Sequence, residues 1–204
     1  MSLTKETLLA ERRRYFVAAN GGISLPVAGA VYWTVLGVLA ATDAVADWGL
    51  TAAMLSGLIF PLGLVLQYPL KAKFMGVKSP VSGAAMWSIV TINFLWPLHF
   101  VVISAVPEAA PLTLAIGMTL HWPVIGWSYA SRVCYAHAIA RIAVVTAIWY
   151  GIPEWRFTGL SFAVAGLYLM TAAGIALEVA WTRRQLNRDG VNVGPELESN
   201  AVPA

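Results

Sequence analysis

Charge is scarce in this sequence. Asp, Glu, Lys and Arg make up 11% of its 204 residues, where a soluble domain carries about 25%. Cys134 is the one cysteine, which excludes an intrachain disulfide. Histidine occurs three times. No His-x-x-x-His pair, Cys-x-x-Cys pair or acidic ligand cluster accompanies it, so no metal site is expected. Gly-x-Ser-x-Gly, His-Glu-x-x-His and a phosphate-cradling glycine loop are absent as well, and no catalytic residue is assigned. A formal net charge of +3 and a pI near 9.2 do not make nucleic acid a partner. The basic residues fall between apolar runs and near the ends, not in one patch.

What is present is apolar. Such residues make up 59% of the chain, and the mean hydropathy is +0.71. A soluble chain of this size exposes too much of its surface to hide that material. Lipid as the solvent removes the difficulty. A helix needs about 20 apolar residues to cross about 30 Å of hydrocarbon. Six stretches qualify: 22–41, 48–68, 81–104, 109–128, 133–152 and 157–181. The opening residues do not read as a secretory signal, because a polar, charged stretch precedes the first run and no small-residue cleavage site follows it. The expected class is therefore all-α: a six-helix transmembrane bundle in residues 21–182. A short amphipathic interfacial helix precedes it in residues 1–20, and a flexible cytoplasmic tail occupies 183–204.

Orientation follows from where Lys and Arg fall. With the amino terminus inside, the inner segments hold Lys5, Arg12, Arg13, Arg14, Lys71, Lys73, Lys78, Arg132, Arg183, Arg184 and Arg188, while the outer segments hold Arg156 alone. The outer loops carry Asp43, Asp47, Glu108 and Glu154 instead. Both termini are thus expected on the cytoplasmic side. In the first helix, Leu8, Leu9, Tyr15 and Phe16 are expected in the lipid interface, with Arg12, Arg13 and Arg14 on anionic headgroups.

Polar residues inside spans need specific reasons to be there. Arg141 falls near the middle of the fifth span, so its side chain should face the bundle interior or a wet cavity. His137 lies one turn earlier on the same face, and Glu178 falls near the inner end of the sixth span. A His137–Arg141–Glu178 charge cluster is expected, either as a structural ion pair or as an anion-binding or proton-relay element. Ala136, Ala140, Ala143 and Ala147 form a stripe on which a neighbouring helix is expected to pack closely.

Pro97 and Pro123 lie within the third and fourth spans. Each lacks an N–H and displaces the carbonyl four residues earlier, which releases the oxygens of Asn93 and Thr119. Asn93, Thr119 and His121, with Arg141 as a fixed charge, are expected to line a small polar substrate cavity at these kinks. No cofactor is expected. In particular His99, His121 and His137 fall at depths separated by about 5–10 Å, too far apart to share one haem iron.

The runs Phe94-Leu95-Trp96-Pro97-Leu98-His99 and Leu120-His121-Trp122-Pro123-Val124-Ile125-Gly126-Trp127 resemble those of small bacterial multi-pass proteins of about the same length that carry no assigned function. The resemblance implies a bacterial inner-membrane setting and supplies no activity or site residue. From the residues themselves, the first expectation is a small-solute, ion or proton transporter or channel-like protein. A homodimer is then expected, because six helices enclose little volume. A non-catalytic accessory or assembly subunit is the alternative, and a membrane-embedded enzyme the third reading.

Overall fold

A computed structural model describes residues 4–190, and the part of the expected tail beyond residue 190 lies outside the described residues. These residues form helices and turns, with no strand among them. The first helix, α1, runs Lys5–Ala18, with Thr4 capping it by accepting from the Thr7 N–H at 3.3 Å. A left-handed turn at Asn20, Gly21 and Gly22, all at positive φ, then reverses the chain. Gly21 is required twice over: its φ is +62°, and a Cβ would lie 2.3 Å from Ile175 Cγ2. Asn20 Nδ2 ties the turn to the Leu70 carbonyl at 3.0 Å.

Next come α2 (Ser24–Ala41), α3 (Trp48–Ser56), α4 (Ile59–Leu66), α5 (Ser82–Ile92) and α6 (Trp96–Ala105). They are followed by α7 (Ala110–Gly117), α8 (Trp122–Tyr129), α9 (Arg132–Gly151) and α10 (Thr158–Arg188). Five helical stretches are long and apolar enough to cross a membrane, or six if the α3–α4 pair, bent by 43°, forms one span. Each of these stretches overlaps one of the apolar runs of the sequence. Their lengths follow from composition: uninterrupted Ala, Leu, Val, Ile and Gly supply the helix, and Asp47 and Ser131 cap α3 and α9 through their side chains.

The centre of the molecule is α10, packed along α2 and α9. The remaining helices are layered on those three: α4 lies on α2, α7 and α8 on α9, and α5 on α8. The α5–α6 stretch is peripheral, with 11% of its apolar window buried against 50% for α10.

Three expectations are corrected here. The last helix continues past residue 182 to Arg188, so the chain does not become irregular where the apolar run ends. Tyr15 and Phe16 do not lie in an interface; they are buried against the Tyr129 ring, at centroid distances of 5.0 and 5.3 Å. The ring contacts are the physical reason: α1 folds back onto α8 and α10, and Arg12 donates to the Trp127 carbonyl while stacking on its indole at 4.9 Å. Arg14 pairs with Glu11 at 2.7 Å. Finally, Ala136, Ala143 and Ala147 are exposed, because the face of α9 that meets its neighbours carries Cys134, His137, Ala138, Arg141 and Val145.

Candidate functional site

Three successive apolar stretches are interrupted part-way along their length, each four residues before a proline or close to it. The second breaks between Ser56 and Ile59, ahead of Pro61; the third becomes a 3-10 turn at Asn93–Leu95, ahead of Pro97; the fourth breaks between Gly117 and Trp122, ahead of Pro123. Proline has no N–H to give the carbonyl four residues back. The structure re-satisfies those oxygens locally: the Trp96 and Trp122 N–H groups donate to the Asn93 and Thr119 carbonyls in tightened turns. The Asn93 and Thr119 oxygens therefore each have a partner within the chain and do not require a ligand. What the breaks supply is side chains.

Two cavities meet at these breaks. One, of about 160 Å³, is lined by Ser56, Ile59, Asn93, His99, Gly117 and His121 among others. The second, of about 360 Å³, continues from it toward the α1 turn and the loop before α5. Leu25, Phe60, Ile89, His121 and Trp122 line both. Of the expected lining, Asn93 and His121 are in place. Asn93 donates to the Ile89 carbonyl at 2.8 Å and accepts from Trp96 Nε1 at 3.3 Å. Thr119 is turned away: it is fully buried in the bundle and donates to the Ala115 carbonyl at 2.7 Å. His99 lines the smaller cavity, its ring lying where a Cβ on residue 117 would be, 2.6 Å from Nε2. Only glycine at 117 leaves that space.

Arg141 does not line either cavity; it lies behind one wall of them. Trp122 and Tyr168 line the smaller cavity and also touch the buried cluster around Arg141. The Trp122 ring is 4.3 Å from His137, and the Tyr168 ring is 5.0 Å from His137 and 4.6 Å from the Arg141 guanidinium. Trp33 lies on Arg141 as well, at 5.4 Å. Arg141 is 0% exposed, and its Nε, Nη1 and Nη2 have no hydrogen-bond partner. A desolvated cation gains about 2 kcal/mol from a ring face. Burying an unpaired charge costs several kcal/mol, and each buried donor left unmade adds about 1–3 kcal/mol. Two rings do not offset that.

The expected cluster of His137, Arg141 and Glu178 divides in two. His137 Nδ1 and Thr171 Oγ1 are hydrogen-bonded at 2.7 Å, which sets the register of α9 against α10. Seven residues later, about 10 Å along the helix, Glu178 has reached the start of α9. There it accepts from the Ser131 hydroxyl at 2.5 Å and from the Arg132 N–H at 2.9 Å. Glu178 is thus a cap for α9 and not a counter-ion, and no Asp or Glu pairs with Arg141 among the described residues. The Thr171 hydroxyl also reaches the Leu167 carbonyl at 2.7 Å. A carbonyl only accepts, so the hydroxyl proton goes there and His137 Nδ1–H donates to Thr171 Oγ1, leaving His137 Nε2 without a partner.

The residues that sequence reasoning missed are aromatic: Trp33, Trp122 and Tyr168. In a chain this rich in rings they read as core or interface. The signal was the repeated Trp-Pro step at 96–97 and 122–123, which marks both helix restarts. Among the described residues, no group of three or more His, Cys, Asp or Glu side chains could hold a metal.

Fold and site together define an all-helical protein whose helices are of membrane-crossing length and apolarity, three of them broken around one cavity. The model of a family described as "Family of unknown function (DUF7010)" matches residues 8–178, and the chain belongs to that family. No curated protein and no solved structure matches it.

Proposed function

We propose that the protein is a six-span bacterial inner-membrane protein that carries a small solute, ion or proton through the cavity at the helix breaks. Both termini are cytoplasmic in this reading. The observation that carries it is the convergence of three interrupted stretches on the smaller cavity, with His121 lining both it and its neighbour. Irregular backbone at membrane depth is tolerated where it borders protein or a water-filled space, and discontinuous spans are a pointer to transporter sites. The orientation is supported by the way α1 is tied to the basic 69–80 loop, through Asn20 with the Leu70 carbonyl and Glu11 with Ser79. Those contacts gather the Lys- and Arg-bearing segments at one end. Arg13 then faces the headgroups there, and a homodimer supplies the volume that six helices lack.

The test is solute uptake by proteoliposomes, guided by a thermal-shift screen of solutes on the purified chain, because a ligand that binds the folded state raises its melting temperature. Flux above empty vesicles that is lost on His121→Leu is expected. A broad screen with neither stabilisation nor flux overturns the reading. It would favour an accessory subunit, for which the peripheral α5–α6 stretch offers a partner face with Trp87 and Phe94 exposed at 68% and 72%.

A further inference from the structure

Five of the unsatisfied atoms beside the cavity share one chemistry. Arg141 Nε, Nη1 and Nη2, Trp33 Nε1 and Trp122 Nε1 are all buried and all without partners. Each is a donor with no capacity to accept. Arg141 lies over the Trp33 and Tyr168 rings, and Trp122 lies 6.0 Å from the Tyr168 ring, so the set is gathered around one aromatic wall. His121 and His137 are within electrostatic reach of Arg141, and neither brings negative charge. The nearest expected carboxylate, Glu178, is engaged at the start of α9. A water could satisfy some of these donors but would leave the charge uncompensated.

We propose that Arg141 is the fixed cation of an occluded binding site for a small monovalent anion, a halide or a short carboxylate, reached from the cavity past Trp122 and Tyr168. The proposal rests on the transport reading for its route and names the substrate class. An acceptor-rich, negatively charged group answers these five donors and compensates the buried guanidinium, with His121 Nδ1 and His137 Nε2 unpartnered beside it. A monovalent ion matches the single charge, and because Arg141 is 0% exposed and lines neither cavity, entry requires the Trp122 or Tyr168 ring to move. The door is a ring held against glycine. A Cβ at Gly29 would lie 2.8 Å from the Tyr168 ring, so the Tyr168 side chain covers Arg141 by resting directly on the α2 backbone.

The experiment uses the full chain in detergent, titrated with sodium bromide or sodium acetate against sodium gluconate at equal ionic strength. The readout is melting temperature. The expected result is a saturable rise with bromide or acetate that gluconate does not give. Arg141→Met abolishes it, and Arg141→Lys retains it at lower affinity. Trp122→Phe keeps the ring and removes one donor, and weakens binding about tenfold. A wild type that responds to all three salts alike overturns the proposal, as does an Arg141→Met chain that keeps the response. Should Arg141→Met fail to fold, wild-type anion affinity in Trp122→Phe overturns it equally. Anion binding without flux removes the transport reading and leaves the site standing. Flux of a neutral solute without anion binding does the reverse.

Discussion

At the scale of the residue, what distinguishes this chain is which groups were left without partners. Ser131, Arg132 and Glu178 form a closed set at the start of α9, while Arg141 two turns deeper has none. The two sites therefore respond differently to mutation. Glu178→Ala should lower stability by about 1–2 kcal/mol, through the loss of a helix cap and a charge-assisted bond. It should leave flux per folded molecule unchanged. Thermal melts and proteoliposome uptake on the same preparation check both halves; a flux defect at wild-type stability would return Glu178 to the functional cluster. Gly117→Ala should cost about 1–3 kcal/mol by overpacking, because the new methyl occupies the place of the His99 ring. His99→Ala should relieve that cost in the double mutant, which a double-mutant cycle of melting measurements reads directly.

At the scale of the element, the interrupted spans and the docked α1 are the features that matter. Pro97→Ala restores an N–H to the third span and removes the ring that clashes with the preceding turn. The variant should melt higher and transport more slowly, since a continuous helix withdraws Asn93 from the cavity it lines. Unchanged flux with a higher melting temperature would show that the break is only tolerated. Phe16 is 1% exposed on α1. Phe16→Ala should destabilise by about 3 kcal/mol, and limited proteolysis should then cut near the turn at residues 20–22. Alkali should loosen the same contact. Burial pushes the Tyr15 phenol above its ordinary value of 10.0, against a hydrogen bond with Tyr129 that lowers it. The neutral phenol is the form that docks, so this contribution is complete below about pH 10 and is lost as pH rises through the raised value. Proteolytic release of α1 as a function of pH measures it.

At the scale of the whole molecule, the arrangement proposed above makes a topological prediction. Reporter fusions after residues 45, 106 and 154 should lie on one side of the membrane, and fusions at residues 20, 75 and 130 on the other. An odd number of crossings between the termini would dismantle the proposed orientation together with the route to the anion site.

Much of this layout was legible along the chain. A run of apolar residues long enough to cross lipid is a property of consecutive positions, and so is the helix break imposed by a proline. The six apolar stretches and the breaks at Asn93 and at Thr119–His121 could accordingly be read without coordinates. The position of Glu178 could not. Whether it meets Arg141 or the start of α9 depends on the register between two helices, which the His137–Thr171 contact sets. Nor could the burial of Tyr15 and Phe16, since an apolar face on a short helix is satisfied equally by lipid or by a neighbouring ring. The rings on Arg141 come from α2 and α10, far apart in sequence, and only packing brings them to one guanidinium. Composition and local backbone chemistry determined which stretches are long and apolar enough to cross a membrane and where the chain bends. Tertiary contacts decided which polar groups were answered within the chain, because hydrogen bonds and charge compensation depend on distances between helices that no single helix encodes.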